Sequence, residues 1–182
     1  MELTRSRIEE KAREYEQEEP LYAVESEHVE MLPGTFRGDD YGWRDLEWVV
    51  QWYFRRYLGA YPDEQRRQTE EKFHDNSFED VSEALAVATS QAETAEKLRG
   101  LTGLAGVDVP VGSAFLQFLY PERYVVVDER VWGVLCEAEK LEGAYPDPPT
   151  IGEYLTFDKV CQALMDRFDV DAWTLYRALW RL

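Results

Sequence analysis

The sequence predicts an all-α domain. Apolar side chains recur at the three-to-four-residue spacing of a helix face in one segment after another. Capping and turn residues separate those segments. The one run that looks like a strand, Tyr124-Val-Val-Val127, has no clear partner strand elsewhere in the chain. A lone strand leaves its backbone groups unpaired, so the run reads better as an apolar approach to a helix N-terminus.

The elements follow in order. Residues 3–18 read as an exposed, charge-rich helix with a thin stripe of Ile8, Ala12 and Tyr15, ended by Pro20. Such a stripe suits a peripheral, docking helix. From Leu21 to Gly38 there are turn signals, Pro33-Gly34 among them, and no clear period; a short extended pair is the local alternative. Asp45 then caps a helix carrying Leu46, Val49, Val50, Tyr53, Phe54, Tyr57 and Leu58 on one broad face, ended by Gly59 and Pro62. Arg55 and Arg56 fall on its other side, as a solvated pair or as a phosphate contact.

Asp63 to Phe73 is a polar helix anchored by Phe73. Ser77 with Asp80 makes a capping-box-like start, and Ala84, Leu85, Ala88, Ala92, Ala95 and Leu98 continue one helical face. Residues 98–119 read as helix, tight turn, helix, the turn being Ala105-Gly106-Val107-Asp108. Val111, Ala114, Phe115, Phe118 and Leu119 form the buried face of the second helix, which Pro121 breaks. Asp128 caps the next helix, with Val131, Val134, Leu135 and Ala138 inside. After the loop 143–149, Thr150 and Glu153 form a T-x-x-E capping box, and Asp171 starts a last helix with Leu175, Leu179 and Leu182 facing inward. The total is about eight helices joined by short links.

A chain of 182 residues with 45% apolar and 14% aromatic content can bury one core. We read residues 1–182 as a single helical domain, with a division into two lobes as the alternative: 1–40 plus 150–182 as peripheral and terminal helices, and 41–149 as a core with the hairpin 98–119 and the Asp128 helix start. There are 37 acidic against 20 basic residues, a net charge of −17. Such a surface repels phosphate backbones and anionic membranes. It fits a whole-surface solubility adaptation to a halophilic cytoplasm, where salt would screen the repulsion and leave room for a local nucleic-acid site.

Cys136 and Cys161 sit in apolar helical patterns and read as small buried side chains of a reducing compartment. Neither His28 nor His74 belongs to a metal motif. No segment has membrane length, and no leader pattern opens the chain, so the expected location is cytoplasmic. No motif for zinc, haem or a nucleotide cofactor is present; the expected cofactor and metal content is none.

Two turns place helix N-termini beside polar residues. Gly103-x-x-Gly106-Val107-Asp108 could cradle an anion on its backbone N–H groups, or could simply be a tight interhelical turn. Asp128 could be an N-cap alone, or a negative charge beside a reaction centre. A tightly hydrogen-bonded cap carboxylate is a poor proton acceptor, so its catalytic role would be electrostatic.

Over residues 101–135 the chain resembles the helix-hairpin-helix DNA glycosylase superfamily, its 8-oxoguanine glycosylase-like branch in particular. That family shows L-x-G-[VI]-G-x-K-x-A at its hairpin and V-D-x-H-x-W at a following helix start. Here the hairpin runs Leu104-Ala-Gly106-Val107-Asp108-Val-Pro110-Val-Gly112, and the helix start is Val127-Asp128-Glu-Arg130-Val-Trp132. The resemblance implies a helix-hairpin-helix glycosylase-like fold with DNA as partner. It implies Gly103, Gly106, Val107 and Arg130 on the nucleic-acid backbone, Asp128 as catalytic residue and Trp132 at the pocket.

Pro110 stands where the family has its nucleophilic lysine, so the lyase step is lost at that position. Asp108 replaces the second hairpin glycine, and Arg130 replaces a histidine. The implied activity is base excision by direct water attack on the N-glycosidic bond, stabilised by Asp128. Trp43, Trp48, Trp52 and Trp132 are available as packing or as walls for a flipped base. Two other readings stay open: a non-catalytic relative that binds nucleic acid or a nucleotide, and an interaction or structural domain that has lost the chemistry.

Overall fold

A computed structural model describes residues 1–38 and 40–182. Among the described residues there are ten α-helices and no strand: α1 (Arg5–Glu18), α2 (Tyr22–Arg37), α3 (Trp43–Arg55), α4 (Asp63–His74), α5 (Phe78–Ser90), α6 (Thr94–Leu101), α7 (Val109–Leu119), α8 (Glu129–Glu137), α9 (Ile151–Phe168) and α10 (Ala172–Arg181).

Two of these ten were not separately expected. The first is α2, which replaces the turns and extended pair read from 21–38. Pro33 lies inside it and removes an intrahelical donor. Leu32 and Phe36, one turn apart, are buried in the core, so tertiary burial outweighs the local turn signal. The second arises because the apolar face expected to run on through Ala92 to Leu98 is broken. Gln91 is extended (φ −74°, ψ 145°), and α6 folds back along α5. The break is stabilised by side chains on the last carbonyls of α5: Lys97 Nζ donates to Ala88 O at 2.8 Å, and Tyr120 Oη donates to the same oxygen at 3.1 Å.

Several caps follow the sequence. Ser77 accepts from Asp80 N, Thr150 from Glu153 N, and Asp171 from Thr174 N. Asp45 does not cap α3 as expected. Gly42 occupies the cap position, and Asp45 reaches back from the third helical residue to accept from Gly42 N at 2.8 Å. Leu58, expected on the inner face of α3, lies past the helix end at φ 51° and is 59% exposed.

The centre of the molecule is α7, every residue of which is buried. α2, α3 and α6 all pack on it. The extended run 124–127 threads the core beside α7 without pairing to a strand. Its backbone is satisfied by side chains instead: Val126 N donates to Gln117 Oε1, Val127 N to Ser113 Oγ, and Tyr154 Oη donates to Val125 O. The buried Ser113 hydroxyl and the Gln117 carbonyl of α7 are thereby accounted for, while Gln117 Nε2 is left without a partner.

The termini meet. α1 packs along α10, and Arg181 pairs with Glu14, Glu18 and Glu19. A buried carboxylate ties the same region together. Glu25, fully buried on α2, accepts from Tyr15 Oη (2.7 Å) and Trp52 Nε1 (3.0 Å) and pairs with Arg177 (3.1 Å).

Candidate functional site

The Asp128 carboxylate is fully buried. Its Oδ1 accepts from Val131 N at 2.8 Å, which makes Asp128 the N-cap of α8. Its Oδ2 lies 2.8 Å from Arg56 Nη1, and the Arg56 side chain is 1% exposed. Arg56 therefore corrects the sequence reading: it is neither on a solvated face nor free to meet a phosphate, whereas its neighbour Arg55 is exposed. Arg56 follows the last turn of α3, where the chain leaves the helix, and its side chain turns inward. Nε donates to Tyr53 O and Nη1 to Tyr176 Oη, both at 2.9 Å.

Five rings surround the guanidinium. Its carbon lies 4.5–5.6 Å from the centroids of Trp52, Tyr53, Tyr57, Tyr176 and Trp180. The Nη1–Oδ2 approach is an ionic contact and not an aligned hydrogen bond, because Asp128 Oδ2 and Arg56 Nη2 both lack a hydrogen-bond partner. The negative charge of Asp128 is thus neutralised within the core and closed to solvent.

The glycine turn is also occupied. Gly106 has φ +74° and packs so closely on the C-terminal turn of α4 that an added Cβ would lie 2.6 Å from Thr69 O and 2.8 Å from Phe73 N. Asn76 clasps the turn: its Oδ1 accepts from Ala105 N, and its Nδ2 donates to Ala105 O, both at 2.9 Å. Val107 is buried and its N–H donates to Leu104 O. Asp108 caps α7 by accepting from Val111 N at 3.0 Å, and Pro110 sits in the first turn, where no N–H is required. Gly103 is exposed on the same loop. Replacing Asn76 with alanine should cost about 1–2 kcal/mol, because it strips both backbone groups of Ala105 of their partner; urea unfolding followed by circular dichroism measures this.

Arg130 is exposed at the start of α8, its guanidinium carbon 4.6 Å from the centroid of Trp180. Trp132 is buried, stacked on Phe157 and edge-on to Tyr145, with Nε1 donating to Gly143 O at 3.3 Å. The other tryptophans named from sequence pack as well. Trp43 lies on Phe73, Trp48 on His28, and Trp52 on Phe118 and Trp173.

A cavity of about 340 Å³ opens between the end of α3, the start of α7 and the start of α8. Its aromatic lining is Tyr53, Phe54, Tyr57, Tyr61 and Tyr145, not tryptophan. Asp108, Pro110, Glu129 and Asp147 also border it, and no Lys, Arg or His does so among the described residues. Of the site residues expected from sequence, Gly103, Gly106, Val107, Asp128, Arg130 and Trp132 do not line this cavity, whereas the hairpin residues Asp108 and Pro110 do. Asp128 lies one residue behind Glu129, and Trp132 supports Tyr145 from the side. A signal for the walls was present in the four-residue spacing Tyr53, Tyr57, Tyr61, but Tyr145 arrives from a distant loop.

Electrostatics at the cavity are one-sided. Asp108 keeps a solvent-exposed edge, yet crowding by protein atoms raises its pKa despite the bond from Val111 N, and Asp147 adds to the rise. The Tyr61 hydroxyl is raised by burial and then by Asp108 and Asp147. Tyr145 is raised by burial, then by Asp128, Tyr57, Asp108 and Asp147. Asp108 and Asp147 therefore both act on the hydroxyls of Tyr61 and Tyr145.

Among the described residues, no group of three or more His, Cys, Asp or Glu is arranged to hold a metal ion, and no helix is long and apolar enough to cross a membrane. No family model, no curated protein and no solved structure matches the chain.

Proposed function

We propose that this is a helix-hairpin-helix glycosylase-like protein whose cavity binds one phosphate-free ring of nucleobase size. The observation that carries this reading is the lining of the cavity: five aromatic rings meet the hairpin residues Asp108 and Pro110 and the first residue of the Asp128 helix. Its volume of about 340 Å³ falls at the lower end of ligand sites. Aromatic walls suit the faces of a flat heterocycle.

Three features favour a free base or nucleoside over duplex DNA. The rim is acidic and repels phosphate. The Ala105 and Val107 amides of the hairpin are already bonded within the protein. Arg130 is stacked on Trp180.

One observation favours a second reading, hydrolysis of the N-glycosidic bond of a damaged base in DNA. Asp128 caps α8 immediately before Glu129, which lines the cavity. In that reading Asp128 stabilises a cationic sugar as water attacks, and Arg56 must first withdraw from the carboxylate.

Calorimetric titration with bases, nucleosides and their 5′-monophosphates separates these readings when run beside duplexes carrying single damaged bases. The duplexes are tested in low and high salt, with alkali to reveal abasic sites. The expected result is saturable one-to-one binding of a base or nucleoside, rejection of the monophosphates, and intact duplexes. Excision by the wild type that is lost in a folded Asp128→Asn variant would replace the first reading with the second. Absence of binding by any ring would overturn the first.

A further inference from the structure

We propose that the ligand of this cavity is an organic cation, a flat amidinium or ring-ammonium compound in preference to a neutral ring; this rests on the reading of the cavity as a ring-binding site. The argument starts from charge. Asp108, Glu129 and Asp147 border a space walled by five aromatic rings, with no basic side chain lining it among the described residues. Ring faces carry negative electrostatic potential and attract cations. Carboxylates at the mouth add to that field, and low-dielectric walls concentrate it. A neutral base would gain only the stacking.

The molecule applies the same solution on the other side of the wall. Tyr53 and Tyr57 border the cavity and also lie against the Arg56 guanidinium, at 4.5 Å and 5.1 Å from its carbon to their centroids. That guanidinium is neutralised by Asp128, so it does not cancel the field of the cavity carboxylates. Of the nearby cations, exposed Arg55 borders an adjoining groove that shares Phe54 and Tyr61 with the cavity but does not line the cavity itself. Arg66 pairs with Asp63 and Glu70. Lys72 borders a neighbouring groove that shares Thr69 and Asp108 with the cavity, and does not line the cavity itself.

Shape favours a flat cation. Tyr57 and Tyr61 are tilted by 46° with centroids 5.5 Å apart, and Phe54 and Tyr61 by 60° at 4.9 Å. The rings therefore form a corner and not a parallel slot, and a planar group laid on one ring points its edge toward another. An edge bearing N–H donors would reach the carboxylates at the mouth.

The test uses three isosteres that differ in charge: benzamidine (cationic), benzamide (neutral) and benzoate (anionic), with adenine as a neutral heterocycle. Each is titrated calorimetrically into the full chain at physiological and high salt. Benzamidinium is expected to bind one-to-one, at least about tenfold tighter than benzamide, with benzoate not binding. The Glu129→Gln/Asp147→Asn double variant should weaken benzamidinium about tenfold and leave benzamide unchanged. Glu71→Gln, an exposed change outside the cavity lining, controls for general attraction to an acidic protein and should leave both unchanged.

Benzamide or adenine binding as tightly as benzamidinium would overturn the cation assignment while leaving the ring-binding reading in place. Benzamidinium binding that the double variant does not weaken would also overturn the assignment. Failure of every ring, charged or neutral, would remove both.

Discussion

Arg56→Ala should lower the free energy of unfolding by about 3–5 kcal/mol. The substitution leaves the buried Asp128 carboxyl without its partner. The carboxylate is fully buried and its Oδ2 has no hydrogen bond to fall back on. The change also opens a space among the five rings that enclose the guanidinium. Urea unfolding followed by circular dichroism measures the loss.

The companion variant is Arg56→Met with Asp128→Asn. Methionine fills much of the space, and asparagine keeps the helix cap while removing the charge. This double variant should be more stable than Arg56→Ala alone, because a buried charge without its partner costs more than the absence of the pair. If Arg56→Ala costs under about 1 kcal/mol, the pair behaves like an exposed one and the enclosed description of Asp128 is wrong.

Gly106→Ala should cost about 2–4 kcal/mol, from two separate terms. The backbone at Gly106 has φ +74°, which disfavours any side chain by about 1–2 kcal/mol. The new Cβ would also meet Thr69 O at 2.6 Å and Phe73 N at 2.8 Å. Both are backbone atoms of α4, which cannot swing aside as the end of a flexible side chain can. Gly143→Ala isolates the first term. Gly143 has φ +87° with nothing within 4 Å of its added Cβ, so its cost should be only the conformational part, about 1–2 kcal/mol. Equal losses at the two glycines would show that α4 yields easily and that the hairpin is not held by close packing.

Both predictions concern residues that the sequence marks as special for other reasons. Gly106 was legible as a turn glycine because a positive φ is a local demand. What the turn packs against was not legible, since α4 and Asn76 lie well upstream. The close approach to α4 and the Asn76 bonds make the turn a helix-packing joint. Asp128 was legible as a cap, because its partner Val131 N is three residues away. The ion pair with Arg56 was not, because neighbouring Arg55 and Arg56 look alike in sequence and only the path of the chain at the end of α3 sends one inward.

By itself, the sequence determined the helical class, the cap positions at Ser77, Asp128, Thr150 and Asp171, and the reading of Tyr124–Val127 as a non-strand approach. These are contacts or patterns within a few residues, where local chemistry decides. Tertiary structure alone decided that residues 22–37 form a helix around a proline and that the long alanine face breaks at Gln91. In both places burial, or side-chain capping from distant residues, outweighs local preference. It also decided that Arg56 is a core residue and that tyrosines, not tryptophans, wall the cavity. Those outcomes depend on which helix faces meet, and no local spacing encodes that.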